Sequence, residues 1–417
     1  MPPERLQNNC SFRPDFDGKT CIILFGRTAH TPNRSAQVIL MKVLVFGGSF
    51  DPVHKGHVSL FRRALKTVAP DVAHIVPAYH SPFKAKSPTP FKLRMKMAKE
   101  AFGGLSKKIV FDDYELKRGG KTYTYQLVEY LLKKYDKPEI YLLVGTDCLN
   151  DLHNWKNPQF IFKNATVIAG KRKGYDENPA AFKHIFLSGF FPKLSSSRVR
   201  AHIMSCGDIP NTVPPQIAPT ILKHSLYGLD VHKWLKSHLK PNRYLHSKNV
   251  AELAAVLSDI YGVNVESAVK AGILHDAGKG MGAQELVRFC QEHKIRVPYF
   301  EDIAKLEPSL LHSYASAYIA KHYFGIADKD VLNAIAEHTL GSLHMSTLSK
   351  ILFVADISSK DRKYKDAFLI RNLALQDLDK ALIYAANRKL LYTIDTQKWL
   401  CPAGIDLWNY LIKQNKA

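Results

Sequence analysis

Residues 42–57 read KVLVFGGSFDPVHKGH, and this stretch decides the front of the molecule. Its first half, KVLVFGG (42–48), is a continuous apolar run closed by two glycines, the pattern of a strand buried on both faces of a parallel sheet. A helix follows at about 56–68. Gly47 and Gly48 allow the backbone to turn sharply and to approach a ligand closely. The helix start offers unpaired N–H groups and the positive end of its dipole, with His54 and His57 three residues apart beside it. Such a place suits a polyphosphate.

The same alternation runs outward from there. AHIVPA (73–78), KIVFDD (108–113), EIYLLVG (139–145), ATVIAG (165–170) and HIFLSG (184–189) read as strands, with helices over 90–102 and 123–135. This order predicts a Rossmann-like, doubly wound α/β domain whose ligands sit at the carboxyl ends of the parallel strands. Pro214, Pro215 and Pro219 punctuate its end, and past about Tyr227 only helical patterns remain. In 243–262, Val250, Leu253, Ala254 and Leu257 recur at helical spacing, and further helices are expected over 266–276, 283–293, 310–324, 329–339, 346–357 and 377–392. The expected organisation is an α/β domain at 41–228 and an all-α bundle at 229–417. Residues 1–40 are polar and aperiodic. They read as a disordered extension or as upstream sequence taken in by a misplaced start, with a short targeting peptide as the alternative.

Composition narrows the class. The chain has 417 residues, 46% hydrophobic and 23% charged, the balance of a soluble protein of two domains. No apolar run is long enough to span a bilayer, so no membrane partner is expected. The 6 Cys are scattered with no C-x-x-C pair, which argues against a disulfide scaffold or a cysteine zinc site and fits a reducing cytoplasm. The net charge of +22 is spread along the whole chain. It suits attraction of polyanionic small substrates better than specific nucleic-acid binding. Whether the chain forms a homo-oligomer is left open.

Two sets of residues carry chemistry. In the front half, LSSSRVR (194–200) places hydroxyls at a helix start and arginines that can clamp a phosphate. Alone, three serines are more often a plain N-cap. In the rear half, His246, the adjacent pair His275-Asp276, His312, His338 and Asp356 fall repeatedly on apolar helix faces. Any one of them is more often a hydrogen-bonded core residue. Six in this order call for a shared partner, and a metal is the economical one.

G-x-F-D-P-x-H-x-G-H (48–57) resembles the signature of the nucleotidyltransferase superfamily, and the serine run resembles its S-S-x-x-x-R motif. The resemblance implies that His54 and His57 stabilise the transition state. It also implies that Gly48, Ser49, Phe50, Lys84, Ser196, Ser197 and Arg200 surround ATP, with Mg²⁺ bridging the phosphates. ELKRGGKTYTYQLVEYL (115–131) and VGTDCLNDLHNWKN (144–157) are similar to segments of bacterial nicotinate-nucleotide adenylyltransferases. There the residues matching Thr124, Asp147 and Trp155 bind nicotinate mononucleotide. This chain departs at SPFK (81–84), where relatives have P-P-H-K, at Thr122 in place of a serine, and at Tyr125-Gln126.

The rear pattern H…HD…H…H…D is that of HD-domain phosphohydrolases, and RYLHSKNVAELAAVLSDIYG, GILHDAGKG and Arg362 resemble the YqeK-like group. That group cleaves diadenosine tetraphosphate symmetrically. The resemblance implies a di-metal centre, iron by preference with manganese or zinc as alternatives, and Lys279 beside the leaving phosphate. Ser358-Ser359 stands where relatives carry an acidic residue. The competing expectation is an adenylyltransferase for another mononucleotide, with the rear half a nucleotide sensor or scaffold.

Overall fold

A computed structural model describes residues 40–80, 89–149, 151–170, 183–189, 191 and 194–416 of the chain. The segment 1–39 and Lys84 therefore lie outside the described residues, as does the side chain of Asp147.

Six parallel strands form one sheet: β1 (Lys42–Gly48), β2 (Val72–Pro77), β3 (Ile109–Phe111), β4 (Glu139–Val144), β5 (Ala165–Gly170) and β6 (His184–Leu187), in the order β3-β2-β1-β4-β5-β6. The central strand shows why the apolar run is unbroken. Leu44 and Phe46 pack into one core with Leu60, Phe61 and Phe102, while Val43 and Val45 pack on the opposite face with Leu127, Val128 and Ile161. A strand covered on both faces needs hydrophobic residues at every position. The order reverses between β1 and β4, the switch point where open α/β sheets bind ligands. β3 is shorter than the expected 108–113. Asp112 ends it by turning its carboxylate to His74 Nδ1 at 2.9 Å and to the Tyr114 N–H at 3.0 Å.

From Leu229 onward every described element is helical. The core of this bundle gathers Val250, Ala254 and Leu257 with Ala271, Leu274, Ile335, Leu352 and Ala385. Four helices of the bundle lacked an expectation: Leu229–His238, Phe300–Leu306, Lys365–Ala374 and Pro402–Lys416. Among the described residues no helix is long and apolar enough to cross a membrane.

One helix belongs to both cores. Ser196–Cys206 follows the last strand; its Val199 and Ile203 pack into the sheet core, whereas Ala201 and Met204 pack into the bundle core. His232 of the first bundle helix seals the junction, with Nε2 at 2.9 Å from the Met204 carbonyl and Nδ1 at 2.9 Å from the Tyr244 hydroxyl. The described residues from Leu40 onward accordingly form one compact unit.

Candidate active sites

The loop after β1 is shaped by its histidines. His54 is the N-cap of helix Lys55–Val68, and its Nδ1 accepts from the His57 N–H at 3.3 Å. His57, at the third helical position, accepts the His54 N–H at 3.2 Å through its own Nδ1. H-x-x-H is thus a reciprocal capping box made of imidazoles. Its rings lie stacked at 3.6 Å. Because both Nδ1 atoms accept, the proton of each neutral ring belongs on Nε2. Two N–H donors are thereby set beside the helix N-terminus. The Phe50 ring is 1% exposed and stands edge-on to His57 at 5.4 Å, so it forms the wall behind that histidine. A Cβ at Gly48 would come within 3.1 Å of the Phe50 ring, so any larger residue here would press on that wall.

The serine helix meets this loop directly. Ser195 is its N-cap, accepting from the Arg198 N–H at 3.3 Å, and the Ser197 and Ser195 hydroxyls lie 3.1 Å apart. Ser196 Oγ donates to the Pro52 carbonyl at 2.9 Å, and Arg200 donates through one terminal nitrogen to the Asp51 carbonyl. Asp51, fully buried, accepts from the Tyr227 hydroxyl at 2.7 Å. Thr124 opens the helix Thr124–Lys134 after β3, and the half-buried Trp155 follows the short turn Leu152–Asn154 after β4. Lys156 Nζ, 4.7 Å above the Tyr123 ring, links these two loops. Thr122 Oγ1 is buried without a hydrogen-bond partner among the described residues. Nearby, Glu115 accepts the Tyr79 N–H at 3.0 Å, and burial pushes its carboxyl up to about 7 against the pull of Arg94 and Arg118.

The rear site lies where the bundle helices converge. His246 comes from helix Pro241–Ile260, and His275-Asp276 follow helix Val265–Leu274. His312 opens helix His312–His322, His338 follows Lys329–Glu337, and Asp356 lies in Thr347–Ser358. Three of the imidazoles are held alike: Nδ1 of His275, His312 and His338 donates to the carbonyl three residues back, Gly272, Ser309 and Ile335, at 2.7, 2.6 and 2.7 Å. Their Nε2 lone pairs are thereby turned inward. His275 Nε2 is buried with no hydrogen-bond partner among the described residues. The Nε2 atoms of His312 and His338 are 3.1 Å apart, and Asp276 Oδ1 is 3.3 and 3.7 Å from them. Lone pairs facing at that distance repel unless positive charge lies between them. His246-His275-Asp276 and Asp276-His312-His338 each place ligand atoms within 4.8 Å of one another, with Asp276 common to both. This donor set fits a metal centre.

The electrostatics agree. Burial alone would raise the Asp276 carboxyl, but His275, His312 and His338 hold it well below the usual range. Burial depresses His275 to about 4 and His338 well below an ordinary histidine, so both are neutral donors at pH 7. His246 is oriented by a residue that sequence reading missed: Asp361 Oδ2 takes its Nδ1 at 2.8 Å, and Asn249 holds the other Asp361 oxygen at 2.9 Å. A carboxylate therefore does follow Asp356 closely, five positions on. Ser358 meanwhile donates to the Val354 carbonyl.

A cavity of about 700 Å³ opens over the site, with Arg243, Lys279, Arg362, Arg388, Lys389 and Lys398 in its wall and Trp399 and Tyr364 beside them. Arg243 pairs with Asp276 at 2.9 Å and Arg362 with Asp356 at 2.7 Å. Burial lowers the Lys279 ammonium despite the neighbouring Asp276. Of these cations, Arg243, Lys279 and Arg362 fall in or on the motifs read from the sequence, and Arg388, Lys389 and Lys398 do not.

The cytidylyltransferase-like family model matches residues 45–202, and the HD domain model matches residues 243–361. The curated "Probable nicotinate-nucleotide adenylyltransferase/Ap4A hydrolase" of Mycoplasma genitalium is 28% identical over 327 residues, 77% of this chain and 88% of that protein. The "Probable nicotinate-nucleotide adenylyltransferase" of Nitratiruptor sp. is 33% identical over 183 residues, 44% of this chain and 98% of that protein. Among solved structures, an HD superfamily hydrolase of Clostridium acetobutylicum described as involved in NAD metabolism is 34% identical. It covers 44% of this chain and 96% of its own, with a TM-score of 0.42.

Proposed function

Since the chain belongs to the nicotinate-nucleotide adenylyltransferase family and carries an HD phosphohydrolase domain behind it, we propose that it joins two nucleotide reactions in one cytoplasmic polypeptide. Residues 41–228 transfer AMP from ATP to nicotinate mononucleotide, giving deamido-NAD and pyrophosphate. Residues 229–417 split diadenosine tetraphosphate into two molecules of ADP.

The observation that carries the first reading is the reciprocal histidine cap at the sheet's switch point. An oxygen of the mononucleotide phosphate attacks the α-phosphorus of ATP, and the bond to the β-phosphate breaks. The Nε2–H groups of His54 and His57 donate to oxygens on which charge develops, and Ser196, Ser197 and Arg200 hold the phosphates. Lys84 joins them, with Gly48 and Ser49 giving the phosphates room to approach the backbone. Mg²⁺ bound with the nucleotide would supply charge neutralisation at its phosphates. Thr124, Asp147 and Trp155 take the pyridine mononucleotide, and the Thr122 hydroxyl, which has no partner among the described residues, is a further donor for it.

The second reading rests on the inward-facing Nε2 atoms. His246, His275, Asp276, His312, His338 and Asp356 would hold the ions, iron by preference, whose contribution is Lewis acidity toward phosphate oxygens. The chain's own cations do the rest. Arg243, Lys279, Arg362 and Lys389 line the cavity and match the charge of a polyphosphate bridge, with Lys279 nearest in role to the leaving group.

The test uses the purified full chain. Incubated with ATP and, in turn, nicotinate mononucleotide, nicotinamide mononucleotide, pantetheine phosphate and FMN, it should release pyrophosphate fastest with the first. With ferrous, manganous or zinc ions it should convert diadenosine tetraphosphate to ADP alone, and Asp276→Ala should abolish this. ATP plus AMP as products, or hydrolysis surviving in the variant, would reject the rear assignment.

A further inference from the structure

Arg200 is the last residue of the serine motif, and its guanidinium is already spoken for on two sides. One terminal nitrogen donates to the Asp51 carbonyl in the histidine loop. The other terminal nitrogen and Nε grip both oxygens of Glu266, the Nε contact measuring 3.0 Å. Glu266 does not come from the sheet domain; it lies in the first turn of the bundle helix Val265–Leu274. We propose that Glu266 is a positioning residue for adenylyl transfer, so that the rear domain completes the ATP-phosphate site of the front one. The inference rests on the reading that Arg200 binds phosphate.

Valence counting supports it. A guanidinium has five N–H groups in a rigid plane. Glu266 takes the edge formed by Nε and one terminal nitrogen, and Asp51 takes one N–H of the other. Two remain, one on each terminal nitrogen, so the arginine keeps donors for a phosphate while its plane is fixed from behind. The clamp is itself fixed: the Asn264 side chain accepts the Glu266 and Ser267 N–H groups at 2.9 and 3.1 Å, anchoring the backbone that carries the carboxylate.

A plain tie between the domains looks different, and the same helix provides one. Arg198 meets Asp259 through a single contact of 3.1 Å, with side chains 59% and 47% exposed. The Arg200–Glu266 pair has two contacts and side chains 18% and 19% exposed. It also holds the only one of these two arginines that touches the histidine loop.

The test is a double-mutant cycle on the full chain, read as initial rates of pyrophosphate release against ATP concentration. Glu266→Gln and Glu266→Ala should raise the KM for ATP about tenfold, the scale of one charge-assisted contact. The KM for the mononucleotide should stay within about twofold. Arg200→Ala should raise the KM for ATP at least as much, and adding Glu266→Ala to it should change little further. Asp259→Ala, which cuts the exposed tie, should leave both KM values as they are. Melting curves for Glu266→Gln, which keeps the side-chain shape, separate loss of fold from loss of positioning. An Arg200→Ala effect without a Glu266 effect would overturn the inference and leave the phosphate role of Arg200 standing. No Arg200→Ala effect would overturn that role and the inference with it. A lower KM for ATP in Glu266→Ala would show that the carboxylate competes with phosphate, and would also overturn it.

Discussion

Gly272→Ala should cost the rear site its metal through a single methyl group. Gly272 lies where helices Pro241–Ile260 and Val265–Leu274 cross, and a Cβ there would stand 2.6 Å from the Ala251 Cα and 2.9 Å from its N. Both are backbone atoms, so no side chain can swing aside, and the helices must part by roughly 1 Å. His246 rides on the first helix, while His275 follows the second and donates its Nδ1 proton to the Gly272 carbonyl. Their rings are 5.3 Å apart, and a metal site tolerates only about 0.2 Å in its bonds. Overpacking costs about 1–3 kcal/mol, and the gain in helix propensity returns about 1. The net loss, up to about 2 kcal/mol, should lower Tm by as much as a few degrees. Gly282→Ala, where a Cβ meets nothing within 4 Å, is the control. Urea and thermal unfolding with bound metal per chain are the assays. Wild-type stability together with full metal content in Gly272→Ala would refute the reasoning.

Glu115 predicts a pH dependence. Burial raises its carboxyl from 4.5 to about 7, so the folded state holds the proton more tightly than the unfolded state. Its contribution to stability is present below about pH 4.5 and is lost as pH rises through 7. Glu115→Gln should therefore match wild type near pH 4.5 and exceed it by up to about 3 kcal/mol at pH 8. Parallel unfolding curves at both pH values would contradict this. His54→Ala or His57→Ala should each lower turnover by about a hundredfold in pyrophosphate release. Each should also cost about 1 kcal/mol of stability through the broken cap, and turnover near wild type would dismiss the donor role. Trp155→Ala should weaken the pyridine mononucleotide by about 1–3 kcal/mol and spare ATP, and equal losses for both would mark the tryptophan as structural.

What could be read from sequence depended on how local the determinant was. β1 spans Lys42–Gly48 as expected from KVLVFGG, because burial on both faces leaves its mark at every position. The spacing of His54 and His57 was visible, and it is also the N-cap to N3 spacing, a local relation that explains the pair before any ligand is invoked. The six rear residues showed themselves as polar side chains on apolar faces. Asp361 did not, because its partner His246 is 115 residues away and nothing near it in the chain demands an acid. Glu266 was hidden for the opposite reason: an acid in the first turn of a helix is fully explained by the helix dipole. Arg388, Lys389 and Lys398 looked like ordinary surface cations until the helices closed around the cavity.

The helix Ser196–Cys206 also sets a schedule for synthesis. Ala201 and Met204 leave the ribosome with the sheet domain, yet the core they join includes Leu274, made about 70 residues later. At about 5–20 residues per second, an apolar stripe on an otherwise finished domain waits several seconds for its cover. During that interval the nascent chain presents a sticky edge to chaperones and to other chains. A ribosome stalled between these points would hold a front half with its histidine loop complete and this flank still bare.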